Sequence, residues 1–507
     1  MFESTLAEVA SGWLAGPFSE AEVPLTSPIS RRFGLKQKHK VRLIDDYSAS
    51  AVNSAVSTCE TPSLHSVNVT CALLQFILSQ WQDAGKSTEL SGRTFDLSSA
   101  YRQIGLSKAG RQVAFIGVFD PELQKPVFFQ ALVLPFGAVR SVHSFLRCAR
   151  AIWFLGVVQA KLLWTSFYDD FTCFSPPELS RSTEATACLV FKLCGWLFAE
   201  SGRKCMPFGK LVEALGVLLD LSSCASGIAR ISNTESRVAE LCEAIAAIVS
   251  SGKLARKDAE RLRGRMQFAS LQLFGKVGKQ CTRVLSRYAQ GDSMSLSRAD
   301  SDALRRFANL LKANRPMSVQ ASDDLCIFMY TDACFEPEAT GAAWKAGIGG
   351  VMVDRIGGRR EMFSMRLSDE MLVQVGVTAK SNIIFECETL AALVSLKLWS
   401  SRTRDRQLVL FVDNDGCKHA LIAGYSSNTV ANQVAKASSL ECDNLVQLWV
   451  ARVPSHSNCA DKPSRGERCS VLEGFAEVKC LEALEWALAG ITTETWVWGN
   501  VSCCDPS

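Results

Sequence analysis

The spacing of apolar and polar residues divides the chain into stretches of different period. Between residues 92 and 222, short strand-like runs alternate with amphipathic helical segments in a βαββαβ rhythm. Gly92-Arg-Thr-Phe-Asp96 predicts a strand ending at Asp96, residues 112–118 and 126–133 predict two more, and Ala138–Val158 predicts a helix. Residues 162–174 then hold two apolar runs joined at Asp169-Asp170, the pattern of a hairpin. A helix is expected from about Arg181 to Glu200, stopped by Gly202. This alternation builds a mixed sheet with helices on one face. Upstream, turn-rich residues 1–60 lead through the basic run Lys36–Arg42 into a strand-like Ile44–Tyr47.

Residues 234–313 change to a helical period, with Gly252, Gly264, Gly275 and Gly291 as breaks. A second sheet begins at 325. Strands at 325–331, 347–354 and 360–366 precede a helix at about 382–399, a strand at 407–413, helical segments, and a last strand at 446–452. There is no internal repeat and no low-complexity tract, so the two halves read as different folds joined by a helical region. The fold class is α/β and α+β, multidomain, and 507 residues leave room for about three or four domains.

Composition adds a globular interior and a local charge. Apolar residues make up 48% of the chain, enough for sizeable cores, and the net charge is only +4. Residues 230–315, however, hold 17 Lys and Arg against 8 Asp and Glu, a local excess of +9. That suggests a polyanionic partner, although a solvated helical face has the same composition. The 20 cysteines are scattered, with no Cys-x-x-Cys pair and no Cys/His set at zinc spacing, and read as thiols in a reducing compartment. Met-Phe-Glu-Ser is no cationic, apolar leader, and the longest apolar stretch, 145–164, is broken by Arg147, Arg150 and Lys161. The expectation is a soluble intracellular protein of cytoplasm or nucleus, with no membrane partner.

The chemistry starts at Asp169-Asp170. Two adjacent carboxylates beside apolar surface repel and are poorly solvated, and a divalent cation relieves both costs. A plain Asp-Asp turn is the alternative. Asp96, at the end of its strand, is placed to face the hairpin tip.

Taken in order, Thr-Phe-Asp96-Leu-Ser-Ser-Ala-Tyr101, Leu134-Pro-Phe-Gly137, Phe167-Tyr-Asp-Asp170, Gly195-Trp with Lys204, and Leu215-Gly-Val resemble the motifs of retroelement reverse transcriptases. Lys40-Val-Arg42-Leu-Ile-Asp-Asp-Tyr-Ser with Asn53 is similar to the fingers segment of that family, so the resemblance covers about residues 30–220. It implies a right-hand polymerase fold of fingers, palm and thumb. Asp96 and Asp169 would be metal ligands and Asp170 the third, less direct acid, together holding two Mg ions roughly 4 Å apart, with Mn able to substitute. One ion would activate a 3′ hydroxyl and the other neutralise pyrophosphate. Tyr101 matches the aromatic that blocks a 2′ hydroxyl and so favours deoxynucleotides. Arg42 would contact the triphosphate, and Gly137 would let backbone approach template and nucleotide. Lys204 matches a proton donor to pyrophosphate, an exposed lysine being the alternative. Two departures stand out. Phe167 replaces the commoner tyrosine, and Ala-Val-Arg-Ser-Val-His-Ser-Phe follows Gly137 in place of the Asn-Ala-Pro of long-terminal-repeat elements, which points to another branch, such as the tyrosine-recombinase (DIRS-like) elements or their algal relatives.

The second half carries Tyr330-Thr-Asp332-Ala, Glu388-Thr-Leu-Ala-Ala, Val412-Asp413-Asn and Ser455-His-Ser-Asn-Cys-Ala-Asp461-Lys-Pro-Ser-Arg. Their order and contexts resemble type 1 ribonuclease H. The resemblance implies Asp332, Glu388, Asp413 and Asp461 as Mg-binding acids that activate water against an RNA phosphodiester, and His456 as an aid to product release. Glu386 competes for the helix position, but at about 100° per residue two positions two apart cannot share a face, and Ala391-Ala392 favours Glu388.

The expected division is an N-terminal extension, 1–30; fingers and palm, 31–222; a basic helical thumb and connection, 223–320, offering Arg263 or Arg265 to phosphates; a ribonuclease H-like domain, 321–470; and an extension, 471–507, that matches no motif. The implied partners are an RNA template, a DNA primer, dNTPs and the RNA/DNA hybrid, the last held mostly by backbone contacts. A catalytically decayed or domesticated copy acting as a nucleic-acid-binding module is the rival reading, and an RNA-templated RNA polymerase, disfavoured by Tyr101, is a third.

Overall fold

The structure is a computed structural model that describes residues 1–36, 41–57, 61–85, 89–202, 205–270, 277–291, 294–321, 326–336, 345–376, 382–404, 406–442 and 447–493. The chain divides into two compact units. Unit 1 is Met1–Arg230 with Val319–Ala321, and unit 2 is Ile231–Ser318 with Ser322–Ser507.

Unit 1 begins with α1 (Phe2–Ala10), β1 (Leu14–Phe18), β2 (Ile29–Lys36), β3 (Val41–Asp45) and α2 (Val67–Asp83). It continues through β4 (Ser91–Asp96), α3 (Lys108–Gln112), β5 (Phe115–Asp120), β6 (Lys125–Ala131), α4 (Val139–Val158), β7 (Leu163–Phe167), β8 (Asp170–Ser175) and α5 (Ser180–Leu193). β9 (Leu211–Ala214) and β10 (Val217–Asp220) follow, and β11 (Ile228–Asn233) runs across the boundary between the two units. One sheet has the order β1-β6-β5-β2-β3 and a second the order β4-β8-β7. The first thirty residues are part of this unit, since β1 forms the edge of the five-stranded sheet against β6.

The three-stranded sheet owes its form to alternation. Phe95, Phe171, Cys173 and Trp164 turn to a core that also buries Phe145, Ala149 and Ile152 of α4 and Phe191 of α5. The buried positions Phe145, Ala149, Ile152 and Gly156 recur at helical spacing. Gly156 permits the approach, because a Cβ there would lie 2.0 Å from the Trp164 ring. Several boundaries differ from the pattern. β3 stops at Asp45 and leaves Tyr47 buried in the following turn, and β5 and β6 are shifted along the chain from 112–118 and 126–133. α5 ends at Leu193, well before Glu200, since Gly195 takes φ +74° and turns the chain away.

Unit 2 opens with four helices, α6 (Glu235–Ser251), α7 (Arg256–Ser270), α8 (Val277–Gln290) and α9 (Arg298–Ala313), whose shared core includes Leu241, Leu262, Met266, Leu285 and Phe307. Gly252 caps α6, whereas Gly264 sits inside α7 with open space around it; Gly275 lies outside the described residues. After β12 (Met317–Gln320) come β13 (Ile327–Phe335), β14 (Ala346–Asp354), β15 (Arg359–Arg366), α10 (Asp369–Val375), α11 (Ile384–Leu398) and α12 (Ser400–Thr403). β16 (Gln407–Val412), α13 (Asp415–Ala423), α14 (Thr429–Cys442), β17 (Gln447–Arg452), α15 (Asp461–Ser464), β18 (Ala476–Glu477) and α16 (Leu481–Thr493) complete it.

The order of the large sheet is β17-β16-β13-β14-β15-β18. β13 and β16 are parallel, and β14 is antiparallel to both of its neighbours. Every residue of α11 from Glu386 to Leu396 is buried, so this helix is the centre of the core rather than a surface element. Residues past 470, which matched no motif, add β18 to the sheet and α16 to the core through Leu484, Ala487 and Leu488. No described helix is long and apolar enough to cross a membrane.

Candidate functional sites

In unit 1, β7 and β8 form a tight hairpin whose last pair is Phe167 with Asp170, leaving Tyr168 and Asp169 as a two-residue turn. Tyr168 takes φ +51°, a conformation that costs a non-glycine residue on the order of 1 kcal/mol and aims its neighbours. Asp170 is the register partner of Asp96 across β4 and β8, and the Leu97 amide donates to the Asp169 carbonyl at 3.0 Å. All three acids are half-buried. A cleft of about 680 Å³, lined by Asp96, Asp170, Thr94, Phe208, Leu211 and Glu213 among others, opens beside them.

Tyr101 stacks on Phe145 at 4.9 Å and lies 5.3 Å from Phe136. Burial pushes its phenol up to about 12, and the nearby Tyr168 and Asp169 add to the rise, so Tyr101 lies beside the hairpin turn. Gly137 takes φ +104°, and a Cβ there would lie 2.0 Å from the Asp45 carbonyl oxygen. Asn53 ties this turn down, donating to the Gly137 carbonyl and accepting from the Val139 amide, each at 3.0 Å. Arg42 is exposed on β3 with its guanidinium 5.7 Å from the Phe136 ring. Lys204, together with 37–40 of the basic run, lies outside the described residues.

Sequence reasoning missed the support beneath this site. Arg32, with a fully buried side chain, donates to Asp45 at 2.6 Å and 3.1 Å and to Glu8 at 2.8 Å, and Arg102 donates to Glu8 at 2.7 Å. Glu8 on α1 therefore bridges two buried arginines and, with Asp45, balances their charge. One of these holds Asp45, whose carbonyl faces Gly137.

In unit 2, Asp332 lies within β13, just past its last pair with β16, Asp413 follows the end of β16, and Glu388 projects from α11. Each offers one oxygen, and the three oxygens lie within 4.8 Å of one another; among the described residues no other group of three or more does so. Asp332 and Glu388 are 3% and 4% exposed. Burial raises the pKa of both, and neighbouring carboxylates raise it further; for Asp332 a hydrogen bond from Ser464 works the other way. Glu388 Oε2 and Asp413 Oδ1 are buried with no donor group against them, and a proton shared between the Glu388 and Asp413 side chains adds to the rise at Glu388. Buried oxygens of this kind, in an all-carboxylate set, fit a hard divalent cation such as Mg or Mn.

Glu386 is equally buried but turned elsewhere, accepting from Asn428 at 2.7 Å. Asp461 starts α15 at the edge of the cluster, half-exposed and paired with Arg465 at 3.2 Å. Its charge still raises Asp332 and Glu388. His456 is exposed in the turn Ser455–Ser457. Of the arginines expected to meet phosphate, Arg265 pairs with Glu240 at 2.7 Å and Arg263 reaches Ser286 at 3.4 Å.

No family model matches this chain, and no curated protein does. Among solved structures it is similar to that of the foamy viral protease-reverse transcriptase dRH in complex with double-stranded DNA. The TM-score is 0.47 at 12% identity, over 88% of this chain and 68% of that one.

Proposed function

We propose that this chain is an RNA-directed DNA polymerase with a ribonuclease H activity, both dependent on divalent cations. The observation that carries the reading is the buried cluster of Asp332, Glu388 and Asp413, with two oxygens that no donor group reaches, since three carboxylates in so little volume repel unless a cation or protons relieve them. Asp332, Glu388 and Asp413 would hold the cation, with Asp461 at the rim. Bound there, the metal would polarise a phosphodiester and lower the pKa of an attacking water. His456 would assist release of the cleaved product.

For the polymerase, support comes from the order of the motifs and from the pairing of Asp96 with Asp170 beside the Asp169 turn. Asp96 and Asp169 would be the ligands and Asp170 the supporting acid. The Tyr101 ring, held by Phe145, would exclude a 2′ hydroxyl and select dNTPs. Arg42 would meet the triphosphate and Lys204 would give a proton to the leaving pyrophosphate, while Gly137 would admit template and nucleotide against bare backbone. In this scheme residues 31–222 are fingers and palm, 223–320 a thumb and connection, and 321–470 the ribonuclease H-like domain. The basic helices would hold an RNA/DNA hybrid through phosphates, with affinity falling steeply with salt.

Primer extension on poly-rA with oligo-dT, run beside cleavage of an RNA/DNA hybrid in Mg or Mn, tests the proposal. Asp169→Asn should abolish extension and spare cleavage, and Asp332→Asn should do the reverse. A wild-type chain with neither activity would sink it. A nucleic-acid-binding protein without catalysis is the second reading, favoured by one observation: Asp96, Asp169 and Asp170 do not bring three oxygens as close together as the unit 2 acids do. Salt-dependent hybrid binding without extension or cleavage would establish that reading.

A further inference from the structure

Ser464 is fully buried, although Lys462 and Arg465 beside it reach solvent. Its one hydroxyl proton is shared between Asp332 Oδ2 at 2.6 Å and the Asp461 carbonyl oxygen at 2.7 Å, so a single side chain bridges the strand that carries one acid and the turn that carries another. The turn is itself braced. The Asn458 side chain donates to the Thr331 carbonyl at 3.0 Å and accepts from the Ala460 amide at 3.2 Å, and the Ser464 amide donates to the Ala460 carbonyl at 3.0 Å. The neighbouring strand makes room for this turn. A Cβ on Gly349 of β14 would lie 2.5 Å from the Ser464 nitrogen and 2.9 Å from the Ala460 carbonyl oxygen.

We propose that Ser464 is a positioning residue of the unit 2 site: its hydroxyl fixes the rotation of the Asp332 carboxylate toward the shared cation, and Gly349 is the notch that seats it. The inference rests on the metal-dependent hydrolysis proposed above. A carboxylate crowded by Glu388 and Asp413 turns away from them unless something holds it, and in this cluster the Ser464 hydroxyl is the group at short hydrogen-bond distance from Asp332. Because the same hydroxyl touches the Asp461 backbone, it also sets the distance between the first and last acids.

The test is Mn titration calorimetry on the full chain, the event belonging to this site being the one that disappears in Asp332→Asn. Ser464→Ala should weaken that event by about tenfold and raise the Mn concentration for half-maximal hybrid cleavage by the same factor, with a smaller change in kcat at saturating Mn. Asn458 also donates to Asp332 Oδ1, but at 3.5 Å, so Asn458→Ala, which loosens the turn and removes that longer contact while keeping the hydroxyl, should change Mn affinity less than Ser464→Ala does. Mn affinity of folded Ser464→Ala within twofold of wild type overturns the inference, and so does a lowered thermal midpoint with unchanged affinity, which would make Ser464 a structural pin only. If the folded wild type has no Asp332-dependent event, the hydrolytic reading falls and takes this inference with it. If wild type has the event and Ser464→Ala leaves it untouched, the inference falls alone.

Discussion

Replacing Asp332 by Asn should stabilise the metal-free protein while destroying its metal response. One oxygen from each of Asp332, Glu388 and Asp413 lies within 4.8 Å of the others, and Asp332 and Glu388 are almost wholly buried. At that separation and an effective dielectric of about 20, two like charges repel by roughly 3.5 kcal/mol. Part of this is avoided because burial raises the Asp332 and Glu388 pKa values and keeps protons on them. A carboxyl whose folded pKa lies above its unfolded value holds its proton more tightly when folded. Stability is therefore highest at low pH, falls as pH rises through the ordinary carboxyl range toward the folded value, and carries the full penalty above it. Asn at 332 removes one member of the cluster and can still accept from the Ser464 hydroxyl, which now donates to Oδ2 at 2.6 Å.

The expected gain at pH 8 with chelator is roughly 1–3 kcal/mol, or about 2–10 °C in Tm. At pH 4.5 the gain should shrink to less than about 0.5 kcal/mol, because Asp332 and Glu388 then keep their protons in the folded state. Added Mn should raise the wild-type Tm and leave the variant's unit 2 transition unmoved, reversing the order of the two. Differential scanning calorimetry at both pH values, with and without Mn, measures all of this. An Asp332→Asn protein no more stable than wild type at pH 8 in chelator would refute the claim that charge crowding strains this cluster.

Gly137→Ala should destabilise unit 1 by roughly 2–4 kcal/mol in chemical denaturation and abolish primer extension, because φ is +104° and the new Cβ would strike the Asp45 carbonyl. Glu8→Gln should cost about 3–5 kcal/mol by the same assay, since it leaves Arg102 buried without its counter-charge and takes one of two from Arg32; an effect under about 1 kcal/mol would mean that water already solvates the pair. Tyr101→Ala should raise ribonucleotide incorporation relative to deoxynucleotide by about tenfold or more at matched concentrations. An unchanged ratio would remove Tyr101 from the nucleotide site.

Local pattern was enough for much of this protein. The alternation of Gly92–Asp96 and of the runs on either side of Asp169 is a property of adjacent residues, so the strand, the hairpin and the helix from Val139 were legible before any packing was known. That Glu388 and Glu386 face different ways was also legible, because helix rotation alone separates the two faces. The structure gives each a different neighbour, Asp332 and Asp413 for one and Asn428 for the other. Other features left no local trace. Glu8 is an unremarkable residue of a short helix until β2 brings Arg32 and the chain after β4 brings Arg102 to it. Ser464 is one serine among many until Gly349 opens β14 for it. Likewise, α16 is an apolar helix without a motif, and its place in the core follows from the large sheet and α11 being there already.

What the sequence determined by itself, then, is which residue types stand at the ends of which elements, because secondary structure follows from near neighbours and backbone sterics. Which carboxylates share a site was decided by tertiary structure. Strand order sets β16 parallel beside β13, so that their two acids emerge at the same end, and burial of α11 brings Glu388 to meet them. Long-range register and exclusion of water turn three ordinary acids into a cluster in which Asp332 and Glu388 hold their protons more tightly, and no stretch of sequence contains either.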